Sequence, residues 1–244
     1  MTNKYMYFVA NWKMFGDLGT LNTLNKVITF VNKIKKNKFE LIYCPPSTLI
    51  YPLAKMLKKT SIEVGAQNCH ESESYGAHTG QLNSMMLKDV GAKYVILGHS
   101  ENRQSGENDR LINLKIRSAI KSGLKVIFCI GETLSEKRKK ITKKILAQQI
   151  SKGLDNVKNR KGILIAYEPV WAIGSGLIPE QPELIETIDY IKGKVKGVKV
   201  LYGGSVNPKN INNLKNINSI DGFLIGGASQ VSNNFIDIIK KTYN

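Results

Sequence analysis

Eight short runs of β-branched and aromatic residues, recurring along the chain with helical patterns between most of them, narrow the possible folds more than any other feature. The runs are Tyr5 to Ala10, Glu40 to Cys44, Ile62 to Ala66, Tyr94 to Leu97, Lys125 to Ile130, Ile163 to Tyr167, Lys199 to Tyr202 and Gly222 to Ile225. They are close to continuously apolar, which is the pattern of strands covered on both faces in a parallel sheet. Thr20 to Lys36, Asp109 to Lys121, Glu136 to Lys152 and Glu183 to Lys194 carry apolar residues at helical spacing. Eight βα units in strict alternation can close into a barrel, whereas a doubly wound sheet needs a switch point for which this sequence offers no location. The reading is an α/β chain folded as a (β/α)8 barrel, eight parallel strands inside an outer ring of helices. Its 244 residues suit a single barrel domain spanning 1–244.

Charge supplies the rival reading. Lys and Arg number 36 against 19 Asp and Glu, a formal net of +17, which suits a nucleic-acid-binding protein. The excess is mostly lysine on helical stretches, as in Glu136 to Lys140 followed by Ile141 and Ile145, where the isoleucines are expected to mark the buried face. Lys137 to Lys144 hold no aromatic residue on which a base could stack, so the basic helix faces read as solvated surface and no nucleic-acid partner is expected. Met1 to Trp12 lack the regions of a signal peptide, and no run is long enough to span a membrane. Cys44, Cys69 and Cys129 have no metal-site spacing and are odd in number, which argues against a disulfide framework and fits a reducing cytoplasm.

In a barrel of this kind chemistry sits on the loops after the strands' C-terminal ends. Those positions hold Asn11 and Lys13, Gln67-Asn68, His99-Ser100-Glu101, Glu132, Glu168, Gly203-Gly204-Ser205 and Gly226-Gly227. Glycine pairs after the last two strands suit a phosphate, because a backbone without Cβ lets N–H groups approach its oxygens. Glu168, at the end of an apolar run, is placed where loss of water makes a carboxylate a better base. By itself it reads equally as an ion-pair carboxylate, and His99 equally as a helix cap.

Six segments, in order, carry a resemblance: Asn11-Trp12-Lys13-Met14, Gly98 to Glu101, Cys129 to Glu132, Ala166 to Gly174, Tyr202 to Val206 and Asp221 to Ser229. Together they resemble the signatures of the triosephosphate isomerase family, over essentially the whole chain. The resemblance implies an aldose-ketose isomerase of glycolysis and gluconeogenesis acting on a triose phosphate through an enediolate, with no cofactor and no metal. It implies Glu168 as the base, His99 as a neutral imidazole that moves protons between oxygens, and Lys13 as the cation for the dianionic substrate. Asn11 would position Lys13, and Glu101 and Cys129 would support the site. Gly174, Ser205, Gly226 and Gly227 would meet the phosphate. Residues Pro169 to Pro179 would form a closing lid, for which the family is itself a standing example. The Asn68–Asn83 segment resembles a loop that inserts into a second subunit, implying a homodimer. Another phosphate-sugar barrel enzyme is the nearer alternative, but it is not expected to carry Lys13, His99 and Glu168 together.

The chain departs from the family pattern at Phe15, Gln81, Asn102 and Leu177-Ile178-Pro179. None of these is among the acid–base groups. Pro179 is expected either to restrict the open lid by fixing its own φ or to begin the next helix.

Overall fold

Where each strand lies follows from apolar side chains facing two covered surfaces. The structure, a computed structural model, describes residues 4–34 and 39–243. Its strands are β1 (Met6–Asn11), β2 (Phe39–Cys44), β3 (Ile62–Ala66), β4 (Tyr94–Leu97), β5 (Lys125–Ile130), β6 (Ile163–Tyr167), β7 (Lys199–Tyr202) and β8 (Gly222–Ile225). Each pairs in parallel with its neighbour in sequence, and β8 pairs with β1 to close the barrel. Along β5, Ile127 and Cys129 belong to an inner cluster with Val9, Ile42, Ile96 and Leu224, while Val126, Phe128 and Ile130 pack in the layer shared with the helices. Burial on both faces is why these segments are apolar over most of their length, with charged residues confined to their first two positions in β2, β3, β5 and β7.

Six strands match the sequence reading residue for residue. β1 is displaced by one residue, and β2 begins one residue early, at Phe39. The helices are α1 (Asn25–Asn32), α2 (Ile50–Leu57), α3 (Ser84–Asp89), α4 (Ser100–Gln104), α5 (Asp109–Lys121), α6 (Leu134–Arg138), α7 (Thr142–Gly153), α8 (Gln181–Lys194), α9 (Ile211–Leu214) and α10 (Ser232–Tyr243). The stretch expected as one helix from Thr20 to Lys36 opens as a 3-10 turn, Gly19–Leu24, before α1, and positions 35 and 36 lie outside the described residues, as do Met1 to Asn3. Glu136 to Lys152 is two helices, not one. Lys140 takes φ +57, which no helix continues through, so α6 ends before it and α7 begins after it. The buried face of α7 is accordingly Leu146, Gln149 and Ile150, with Ile141 and Ile145 only half-buried. Among the described residues no helix is long and apolar enough to cross a membrane.

At the N-terminal end of the barrel Asp221 is 2% exposed, 2.9 Å from the Lys4 ammonium and 2.7 Å from that of Lys192, and it accepts the Val200 N–H at 2.9 Å. Burial pushes its carboxyl up, but the hydrogen bonds from Lys192, Lys4 and Val200 outweigh burial and hold it below the usual aspartate range. A folded-state value below the unfolded one, about 3.9, gives stability that is complete above that pH and lost as pH falls through the folded value. Asp221→Asn should therefore lower the urea midpoint at pH 7 and flatten its fall below about pH 4. The neutral-pH loss should be on the order of 2 kcal/mol, less than for a fully buried pair because the lysines keep contact with water. An acid limb as steep in the variant as in the parent would show that another carboxylate governs it.

Candidate active site

The loops after β1, β4, β6, β7 and β8 enclose a cavity of about 290 Å³ at the C-terminal end of the barrel. Asn11, Lys13, His99, Glu168, Gly174, Ser205, Gly226 and Gly227 all line it. Glu101 and Cys129 do not, but each meets a residue that does.

Glu168 leaves the end of β6 with its backbone N–H bonded to the Ile130 carbonyl at 2.8 Å. So close an approach to β5 requires glycine next to Ile130, since a Cβ on Gly131 would lie 1.7 Å from the Glu168 carbonyl oxygen. Room for the side chain comes from Gly203, whose Cβ would sit 2.8 Å from Glu168 Cγ. Gly204 is likewise fixed by packing, against the Tyr202 ring. The glycine pair after β7 thus answers first to its neighbours, a reason that motif reading did not supply. Gly227 has no such neighbour and leaves open space.

The Glu168 carboxylate is almost wholly buried. One oxygen accepts the Ser100 N–H at 3.2 Å and the other lies 3.1 Å from His99 Nε2. His99 is the N-cap of α4, and its Nδ1 accepts the Glu101 N–H at 3.3 Å. His99 thus caps a helix with one nitrogen and faces the cavity carboxylate with the other. Burial presses the imidazole towards the neutral form, the Glu168 carboxylate raises it, and the balance lies above the usual histidine value. Once Glu168 is protonated or turned away, burial, the N–H held on Nδ1 and the Lys13 ammonium favour neutral imidazole against the exposed Glu101 carboxylate 3.5 Å from Nδ1. Cys129, in the barrel interior, is pushed well up by burial and by the same carboxylate, which keeps it a neutral neighbour.

Lys13 has φ +56, a strained conformation for a residue with a Cβ. The strain is held by its surroundings. Asn11 Oδ1 accepts the Lys13 N–H at 3.1 Å, Gln67 donates to the Lys13 and Cys44 carbonyls at 2.9 and 2.8 Å, and Gln230 donates to the Trp12 carbonyl at 3.0 Å. The Lys13 ammonium lies 2.6 Å from Glu101 at the cavity rim. In sequence Gln67 is marked only by its place on the rim and Gln230 by nothing, because a side chain that braces another residue's carbonyl has no motif of its own.

Residues 169–179 are tied to the body of the barrel at Trp171, Ala172 and Gly176. The Ser205 hydroxyl donates to the Ala172 carbonyl at 2.7 Å and accepts the Gly176 N–H at 3.1 Å. Trp171 donates to Glu132 at 2.8 Å, the Tyr167 hydroxyl donates to the same buried carboxylate, and Lys137 lies 3.7 Å from the Trp171 ring centroid. Burial holds the Glu132 carboxyl above its usual range despite these donors. Pro179 is buried but does not begin α8. Glu180 is the N-cap, and Pro182 takes the helix-start position. The helix-start reading of Pro179 is thereby corrected.

With this geometry in hand, comparison with known proteins is specific. A sequence profile of the triosephosphate isomerase family matches residues 6–242. Triosephosphate isomerase of Thermodesulfovibrio yellowstonii is 40% identical over 96% of this chain and 98% of that protein. The enzyme of the same name from Zygosaccharomyces bailii is 42% identical over 91% and 93%. The crystal structure of triosephosphate isomerase from Bartonella henselae superposes with a TM-score of 0.88 at 32% identity, covering 98% of this chain and 99% of that one.

Proposed function

The chain belongs to the triosephosphate isomerase family, and from that premise we propose that Glu168, His99 and Lys13 carry its reaction in the C-terminal cavity. The enzyme interconverts dihydroxyacetone phosphate and D-glyceraldehyde 3-phosphate, a step of glycolysis. The observation that supports the residue assignment is the convergence of one buried carboxylate, one helix-capping imidazole and one ammonium on a single cavity.

The Glu168 carboxylate leaves the Ser100 N–H and takes a proton from the substrate carbon beside the carbonyl, so that the C–H electron pair becomes the C=C bond of an enediolate. The same proton returns to the neighbouring carbon. His99, released from Glu168, donates from Nε2 to the substrate oxygens and carries the hydroxyl proton between them as neutral imidazole, tuning for which the family is itself the known example. Lys13 stabilises the negative charge that grows on those oxygens. Asn11 and Glu101 hold Lys13, and Gly174, Ser205, Gly226 and Gly227 receive the phosphate. Closure of the lid excludes water, which would otherwise protonate the enediolate. A coupled assay of dihydroxyacetone phosphate formation, on protein from a host lacking its own isomerase, tests the activity; no turnover above the uncatalysed rate would overturn it.

The whole chain, 1–244, is taken as one domain working as a homodimer in the cytoplasm. Three free, buried thiols fit that compartment. The dimer is supported by apolar side chains left uncovered beside the lysine, Met14 at 99% exposure with half-covered Phe15, and by the 68–83 loop. That loop is internally braced, with the His70 and His78 rings 4.3 Å apart and Asn83 donating to the Ser74 carbonyl, while Tyr75 projects outward. Gln81 and Asn102, departures from the family pattern, are both neutral, so the contact should be neutral and dimerisation nearly independent of salt. Sedimentation between low and moderate salt checks this, and an active monomer at micromolar concentration would reject the dimer.

A further inference from the structure

The opposite mouth of the barrel holds a second cavity, of about 280 Å³, formed where β1, β4, β5, β6 and β7 begin. Strand register puts it there: Tyr94 pairs with Lys125, Val126 with Ile163 and Leu164 with Lys199, so the opening residues of four consecutive strands come together. Its floor is Tyr7 and Tyr94. Its rim is Lys125, Arg160, Lys161 and Lys199, and no carboxylate lines it.

The two acidic groups nearest by contact are already shared. Asp221 serves Lys4 and Lys192 closely, leaving Lys199 a third ammonium at 3.7 Å. Glu40 accepts the Tyr94 hydroxyl and lies 3.4 Å from Lys125, whose ammonium also sits over the Tyr94 ring. Among the described residues Arg160 and Lys161 have no ion-pair partner, and both are exposed. Gly162 and Gly197, at φ +89 and +79, turn the two loops at the rim without adding side chains to the opening. The result is a concave, solvent-open site with cations converging from the starts of two strands and from one loop, an arrangement that recognises several phosphate oxygens at once.

We propose that this N-terminal mouth is a binding site for a small polyphosphate anion, separate from the isomerase cavity at the other end of the barrel. Four rim cations match a diphosphate or longer chain better than one phosphate group, and the Tyr7 face beside them offers a surface for a planar base. Free pyrophosphate and a nucleoside diphosphate share this chemistry.

The test is calorimetric titration at low salt with pyrophosphate and with ADP, the isomerase cavity being filled by excess triose phosphate. Arg160→Ala/Lys199→Ala should weaken binding at least tenfold while leaving isomerase kcat/KM within about twofold. Lys139→Ala/Lys144→Ala removes the same charge from another surface and should weaken it by less than threefold. Tighter binding of ADP than of pyrophosphate would identify a nucleotide, and equal binding a bare phosphate chain. Equal weakening by both double variants would mean that net charge alone attracts the anion, and no binding with triose phosphate present would mean that the anion binds only in the isomerase site or not at all; either result overturns the proposal.

Discussion

Replacing Glu168 with glutamine should reduce kcat by at least about a hundredfold, and by as much as about ten thousandfold, while changing KM little. The amide has the shape of the carboxylate, and its oxygen can still accept the Ser100 N–H that now holds Glu168 at 3.2 Å. What it cannot do is accept the carbon-bound proton. The fold should survive, because the substitution removes no volume from the space between Gly131 and Gly203. His99→Ala should also cost a hundredfold or more by removing the group that moves the hydroxyl proton. The two losses should not multiply in the double variant, since both groups act on one enediolate. Near-parental turnover by Glu168→Gln, with host isomerase excluded, would remove Glu168 from the mechanism.

The barrel was legible because double burial writes itself into consecutive positions. In β5 the residues facing the interior and those facing the helices are equally apolar, so the boundaries of the run are those of the strand. Helix boundaries were less legible where the chain bends by backbone conformation alone. Lys140 at φ +57 breaks a stretch whose side chains would all suit a continuous helix, and lysine gives no sign of a left-handed residue. Local patterns also left the role of Pro179 open between lid and helix start. Pro179 and Pro182 both precede the periodic part of α8, and only the observed N-cap at Glu180 separates them.

The cavity shows the same division. Groups that would touch substrate lie at strand ends, where position itself is informative, and the family segments name them. The parts that hold those groups in place were silent: Gln67 and Gln230 act on carbonyls, and Gly131 acts by leaving out a Cβ. Each depends on a neighbour distant in sequence, Gln230 by 218 positions, so no local window contains the reason for it.

Lys13 allows that distinction between holding and acting to be measured. At φ +56 any side chain beginning with Cβ costs on the order of 1 kcal/mol that glycine does not incur. At ordinary positions glycine is the worse residue, by roughly 0.5–1 kcal/mol relative to alanine, because it loses more freedom on folding. Here the first cost cancels or exceeds the second, so that Lys13→Gly should melt no lower than Lys13→Ala. Loss of the ion pair with Glu101 adds little to either, since both partners are partly exposed. Activity should behave quite differently. Both variants lose the ammonium facing the growing negative charge, and kcat/KM should fall by about a hundred- to a thousandfold in each. Melting temperature and kcat/KM on the two proteins therefore separate the cost of the backbone from the use of the side chain. If alanine is clearly the more stable, the left-handed conformation is not strained in the folded enzyme. If either variant keeps activity within tenfold of the parent, Lys13 is not the group that meets the charge.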